Sequence, residues 1–310
     1  MIADRMPPLV ADRPAVATHA LAKRWGPARV LDDADMVVPR GAVYLLAGAN
    51  GAGKSTMLRI LLDLVRPNRG RAEVFGIDAQ HAAATVRASI GCVPANRPLF
   101  PDRLPLGRTL EHVAAHYPTW DSVYATELLQ VLNVPLQRLG RASTACEVQR
   151  FRWVAALAHR PPLLLLDEPF AGLDSPSRDT AVALLVDHLS TTDTTVLLAT
   201  HDLETAASLA DHIGVLDGGR FALQARLDLL LEQVRRYRVA IDATWQPPAA
   251  LVAAALERTD GQREIEWIVW GPQAWAVEAF RTAGGAVSEI ATVSVAEGLR
   301  TILRSKGGVQ

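Results

Sequence analysis

Val43-Tyr44-Leu45-Leu46-Ala47-Gly48-Ala49-Asn50-Gly51-Ala52-Gly53-Lys54-Ser55-Thr56 decides the fold of this chain. Its apolar start, Val43–Leu46, reads as a buried strand, and Lys54–Leu64 reads as a helix. Between them lies a glycine-rich turn, Gly48 to Gly53. Glycines there let the backbone wrap so that its N–H groups converge on phosphate oxygens, and the helix start adds a favourable dipole. Lys54 supplies a point charge for the outer phosphates, and the Ser55 hydroxyl suits a Mg²⁺ ion. An accidental glycine turn would lack the strand before it and the helix after it.

Outward from this turn, short apolar runs alternate with helical patterns from about Ala17 to Leu223. Strands are expected over Ser89–Pro94, Leu163–Leu166 and Thr195–Ala199. Helices are expected over Arg108–His116, Asp121–Leu132, Val148–His159 and Ser177–Leu189. This alternation predicts a parallel α/β sheet. A charged linker helix over 226–237 should follow. Residues 238–310 then read as a small α/β sandwich, with strands at Arg238–Ile241, Glu264–Val269 and Ala286–Ala291. Its helices are expected over Pro248–Glu257, Gln273–Ala283 and Val295–Ser305. Residues 1–16, with Asp4, Arg5, Asp12 and Arg13 among prolines, read as a flexible tail without a signal-peptide core.

A second constellation ends the apolar run Leu163–Leu166, where Asp167 and Glu168 precede Pro169. Ligands of open α/β sheets bind at the carboxyl ends of strands. Asp167 is placed to bind Mg²⁺ through water, and Glu168 to orient and deprotonate an attacking water. The plainer reading of the pair is as acids in the first turn of a helix. The phosphate loop upstream favours the chemical one.

In order and spacing, Gly48–Thr56, Leu163–Pro169, Ala171-Gly172-Leu173-Asp174 and Thr200-His201-Asp202 resemble the motifs of ABC ATPases, over about Ala17 to Leu223. The resemblance implies a P-loop NTPase cassette over 17–225: a parallel core with an antiparallel β subdomain and a helical subdomain. It implies ATP and Mg²⁺ as ligands and ATP hydrolysis as the activity. It makes His201 a contact to the γ-phosphate and gives Asp174 communication across a head-to-tail dimer. Trp25, followed by Gly26, resembles the aromatic that stacks on adenine; the bland alternative is a packed strand aromatic. The implied partners are a transmembrane permease and a second cassette subunit, a heterodimer being favoured over a homodimer. The implied location is the cytoplasmic face of the membrane. Tyr117-Pro118-Thr119-Trp120-Asp121 and the carboxyl-terminal unit look like the branch of bacterial exporters for lipids, peptides or antibiotics.

Two departures stand out. Gly91-Cys92-Val93-Pro94-Ala95 falls where the family reads Val-Pro-Gln, so Ala95 offers no side-chain oxygen to Mg²⁺; Asn96 can replace it only through a one-residue shift. Thr144-Ala145-Cys146-Glu147 falls where the family reads Ser-Gly-Gly-Gln, the signature that grips ATP held by the opposite subunit. Thr144 keeps a hydroxyl, but a side chain at Ala145 and Cys146 restricts close backbone approach. Glu147 is expected to set a negative charge where the phosphate lands, although it also suits the first turn of its own helix. The chain thus retains most of the catalytic half it uses itself and has altered the half it presents to a neighbour.

Composition sets the remaining bounds. Of 310 residues, 49% are hydrophobic and 21% charged, an ordinary globular balance, and the formal charge of -1 lacks the footprint of a nucleic-acid binder. Cys92 and Cys146 fit no disulfide or zinc spacing, which suits a reducing cytoplasm. No run reaches the roughly 18–20 apolar residues of a membrane span. His112 and His116 lie four apart on a helix without a visible third ligand, so a metal site is not expected. Arg235-Arg236-Tyr237-Arg238 reads as a solvated helix face rather than a nucleic-acid or lipid patch. Besides the transport motor, two other functions are open: a nucleotide-gated module with little hydrolysis, and a soluble ABC protein acting on ribosomes or DNA.

Overall fold

The computed structural model describes residues 13–95, 102–242, 245–261 and 263–306. In chain order, strands β1 (Val16–Trp25) and β2 (Ala28–Val38) precede β3 (Val43–Ala47) and helix α1 (Lys54–Leu61). Then come β4 (Arg69–Val74), β5 (Ile77–Asp78), α2 (Ala83–Ala88), β6 (Ile90–Val93), α3 (Leu106–Ala114), α4 (Ser122–Val131) and α5 (Ala145–Leu157). The cassette continues through β7 (Leu163–Asp167), α6 (Ser175–Thr191), β8 (Thr195–Ala199), α7 (Leu203–Ala207), β9 (His212–Asp217) and β10 (Arg220–Arg226).

A six-stranded sheet, ordered β10-β9-β3-β8-β7-β6, forms the centre. Its pairs are parallel from β6 to β9, and β10 closes it antiparallel. β3, β7 and β8 are buried at every residue, as continuous apolar runs with both faces covered must be. A separate antiparallel sheet, β2-β1-β4-β5, shares a core with the α1 side of the central sheet. Helices α3 to α6 pack over the other face. Because β3, β7 and β8 run parallel, their carboxyl ends bring Gly48, Glu168 and Thr200 to one edge.

Beyond the cassette, α8 (Leu227–Glu232) leads into a second antiparallel sheet, β12-β13-β11-β14. It comprises β11 (Val234–Ala240), β12 (Ala255–Asp260), β13 (Glu264–Trp270) and β14 (Ala286–Thr292), with helices α9 (Ala249–Ala254), α10 (Gln273–Thr282) and α11 (Val295–Lys306). Tyr237, Trp267 and Phe280 centre a small core of its own.

Three expectations are corrected here. The linker helix ends at Glu232, and Val234–Tyr237 form a strand paired with β13. Leu227, Leu230, Val234 and Tyr237 are spaced three and four apart, which mimics a helix face, but pairing decides. The helix expected to reach Glu257 stops at Ala254, and the following residues become β12 against β13. At the amino end, Ala15 and Val16 are buried and β1 starts at Val16, so the tail is shorter than 1–16; residues 1–12 lie outside the described residues.

Candidate active site

β3 delivers the chain into Gly48, whose φ is 150°; a Cβ there would stand 2.3 Å from the Leu216 carbonyl oxygen. At Gly53, with φ 110°, a Cβ would stand 2.6 Å from the Val30 oxygen. Both positions therefore demand glycine. Ala49, Asn50, Gly51 and Ala52 form the intervening turn, closed by the Ala52 amide donating to Ala49 (3.1 Å). Lys54 is buried, and its Nζ donates to the carbonyls of Gly48 (2.7 Å) and Ala49 (3.1 Å). Burial lowers its pKa, while Glu168 and Asp167 pull the other way.

Ser55 Oγ donates to Asp167 Oδ1 at 2.8 Å, and Thr56 lies buried behind it. Burial raises the Asp167 pKa, opposed first by the Ser55 hydrogen bond. A buried carboxylate touching a hydroxyl, beside a phosphate cradle, is an oxygen donor set that fits Mg²⁺.

Glu168 occupies the left-handed region at φ 48°, unusual for a side chain of its size. Its surroundings hold it there. Its amide donates to Ala199 (2.8 Å), Oε2 accepts from Thr200 Oγ1 (2.8 Å), and Oε1 accepts from the His201 amide (3.0 Å). His201 Nδ1 lies 2.9 Å from the same Oε1, with the ring side chain 68% exposed. The next carbonyl, Pro169, accepts from Gln149 Nε2 (2.7 Å) and Trp153 Nε1 (3.1 Å), four residues apart on α5. Thr200, Gln149 and Trp153 are positioning residues that sequence reasoning did not assign. Thr200 was detectable as the residue joining β8 to His201.

Trp25 ends β1 with 51% of its surface exposed and the Lys23 ammonium 4.6 Å from its ring centroid. About half of the side chain is therefore open at the end of the strand, where a flat ligand could reach it. Asp174 caps α6 by accepting from the Ser177 amide (2.9 Å); the Ser177 hydroxyl foremost, and then that amide, keep its carboxyl below the usual range.

At the start of α5, Glu147 sits in the first turn of its own helix, the plainer of its two readings. Thr144 Oγ1 accepts from the Glu147 amide (3.2 Å), and Glu147 Oε2 accepts from the Thr144 amide (2.8 Å), a reciprocal capping box. Glu147 Oε1 pairs with Arg138. The carboxylate is thus folded onto its own helix rather than directed outward, and the Thr144 amide foremost holds its pKa down. Ala145 lies against Gly172, and Cys146 Sγ lies 3.7 Å from Ser177 Oγ.

Ala95 lines a cavity of about 280 Å³ together with Leu58, Cys92, Pro94 and Asp167. Asn96, the alternative ligand, lies outside the described residues. His116 Nδ1 donates to the His112 carbonyl (2.8 Å). Arg236 and Arg238 sit on β11, not a helix, and pair with Glu266, Glu289 and Glu297.

The ABC transporter family profile matches residues 31–171. The daunorubicin resistance ATP-binding protein DrrA3 of Streptomyces coeruleorubidus is 35% identical over 73% of this chain and 73% of its own length. An aliphatic sulfonates import ATP-binding protein, SsuB 1 of Nocardia farcinica, is 34% identical over 69% of this chain and 82% of its own. Among solved structures, an ATP-binding subunit of an ABC transporter superposes with a TM-score of 0.65 at 28% identity, covering 71% of this chain and 92% of that one. The phosphate cradle, the acid pair at the end of β7 and the histidine after β8 stand on this shared fold, and the chain belongs to the ATP-binding subunits of ABC transporters, whose activity is ATP hydrolysis.

Proposed function

We propose that this ATPase is the cytoplasmic-face motor of an exporter, driving a permease carried on separate chains, and that it works head to tail with a second, non-identical cassette. The observation that carries this reading is the inequality of its two helix starts. The cradle, Ser55–Asp167 and Glu168–His201 are assembled. The start of α5 has Ala145 and Cys146 where close approach to a neighbour's nucleotide calls for glycine, and it is closed by its own capping box.

In this reading the backbone of Gly48–Thr56 and the Lys54 ammonium hold the phosphates, and Trp25 stacks on the adenine. Ser55 Oγ and Asp167 hold Mg²⁺, which when bound neutralises charge on the outer phosphates. Glu168 accepts a hydrogen bond, then a proton, from the attacking water, and His201 donates to the γ-phosphate. The exporter branch is supported by the carboxyl-terminal α/β unit and the similarity to daunorubicin resistance proteins.

The test uses the tagged chain in detergent extracts and in isolation. A polytopic membrane protein and a second cassette should co-purify, and turnover of the isolated chain should be slow. Ala145→Gly, Cys146→Gly and Glu147→Gln together should raise the isolated chain's turnover. Brisk hydrolysis by the wild-type chain alone, unchanged by the triple substitution, would overturn the paired reading.

A further inference from the structure

α7 is a single turn of five residues, Leu203–Ala207, immediately after His201. A helix that short has no stability of its own and takes its position from packing. Inside it, Asp202 caps the start by accepting from the Thr205 amide (3.2 Å) and Thr205 Oγ1 (2.9 Å), and the Leu203 amide returns to the His201 carbonyl (3.0 Å). Outside it, α7 packs against β3 and against α11, the last helix of the carboxyl-terminal unit.

α11 has two working faces. Val295, Leu299 and Ile302, spaced four and three, enter the cassette's core, with Leu299 and Ile302 fully buried. Glu297 and Thr301, spaced four, hold it to its own sheet: Glu297 pairs with Arg236 on β11, and Thr301 Oγ1 lies 3.4 Å from Glu257 Oε2 on β12. Val295 also lines one cleft together with Ala207 and with Ala210 just beyond α7. The carboxyl-terminal sheet is therefore joined mechanically to the turn that carries His201.

We infer that α11 is a positioning element for His201: Leu299 and Ile302 set α7, and α7 sets the histidine against Glu168. The inference rests on the reading of His201 as a participant in hydrolysis. Among the described residues the main packing of α11 is on α7 and β12 rather than on the cradle, so nucleotide affinity should be independent of it. The carboxyl-terminal unit thereby becomes an input to turnover, because whatever shifts its sheet shifts the switch.

The experiment compares Leu299→Ala, Leu299→Met, Ile302→Val and His201→Ala in the full chain, reading kcat, ATP affinity and hydrogen exchange along residues 203–210. Leu299→Ala should lower kcat on the order of tenfold, with ATP affinity unchanged and faster exchange confined to 203–210. Leu299→Met should restore the rate, and Ile302→Val should fall between if Leu299→Ala does not fold. Wild-type turnover in the α11 variants, with His201→Ala inactive, overturns the inference and leaves the site reading standing. Wild-type turnover in His201→Ala instead overturns the site reading. Equal losses of kcat and affinity without rescue by methionine reduce α11 to ordinary core packing and also overturn the inference.

Discussion

α1 and α5 both begin where the family expects a phosphate, yet their starts are built in opposite ways. α1 follows Gly53, which has no side chain to offer, so its first amides remain available to an anion. α5 begins with Thr144 and Glu147, which satisfy two amides reciprocally, and Arg138 balances the carboxylate. A helix start that caps itself is chemically an alternative to one that grips phosphate. The first is stable without a ligand, whereas the second is completed by one. In the proposed head-to-tail pair, the second kind serves the chain's own nucleotide and the first kind is the surface offered to a neighbour.

The largest expected effects separate the two working parts of the α1 site. Lys54→Ala should abolish measurable ATP binding. Glu168→Gln should leave binding near wild type while turnover falls about 10²–10⁴-fold, since it removes a base and keeps the shape. Equilibrium nucleotide binding and steady-state hydrolysis on both variants check this. If Glu168→Gln loses ATP as Lys54→Ala does, the left-handed Glu168 is a structural pin and not a base.

Much of that half was legible because its chemistry is local in sequence. Nine consecutive residues specify the cradle, and Asp167-Glu168 ends an unmistakable buried run. The other half was legible only as a departure. The sequence of Thr144–Glu147 shows which residues are present but not where Glu147 points, because Arg138 lies nine positions away and a loop conformation brings it back. The carboxyl-terminal unit misled for a related reason. In β11 and β12 the strand state is imposed by pairing with β13, a partner downstream in sequence, and it overrides local patterns that suit helix. The support of Pro169 by Gln149 and Trp153 was likewise hidden, because it joins residues 16 to 20 positions apart.

The α5 region should also differ in its response to acid. His188 on α6 is buried, with Nδ1 facing the Tyr124 hydroxyl (3.1 Å) and Nε2 facing Thr194 Oγ1 (3.3 Å). Thr194 uses its own proton on Pro161, so in the neutral ring Nε2 carries the proton and Nδ1 accepts from Tyr124. His159, just past α5, is buried with its ring stacked 3.9 Å from Tyr117. Burial foremost pulls both down from 6.5 to about 4. Between those values the unfolded chain takes up protons that the folded chain refuses. Stability is therefore full above about pH 6.5 and is lost towards pH 4, on the order of several kcal/mol for the pair. Chemical denaturation across that range should show the loss, and His188→Gln should flatten it. An unchanged slope in that variant would mean His188 does not carry the acid sensitivity.

Trp25 tests the cradle at a smaller scale. Trp25→Ala should weaken ATP binding by ~1–3 kcal/mol, and Trp25→Tyr should largely restore it, because the stacking face rather than the indole nitrogen is used. The exposed ring should contribute little to folding, so thermal melting should hardly move. A large drop in melting temperature with unchanged affinity in the folded fraction would return Trp25 to the role of a packing residue.

The smallest effects lie at the start of α5 and decide what its capping box does. Thr144→Ala removes the side chain that accepts from the Glu147 amide and should cost about 1 kcal/mol of stability. Glu147→Gln should cost less, since glutamine also closes a capping box and only the Arg138 ion pair is lost. Its pKa direction makes a matching claim about pH. Because the folded carboxyl titrates below its ordinary value, its stabilisation is present above about pH 4.5 and is lost as pH falls through the folded pKa. Turnover is the sharper readout. If the carboxylate is already occupied by Thr144 and Arg138, removing its charge alone should not accelerate hydrolysis, and any gain from restoring the signature must come from Ala145→Gly and Cys146→Gly. If Glu147→Gln alone matches the triple substitution, the charge does face an incoming phosphate in the assembled dimer, and the self-capped start opens when the partner closes on it.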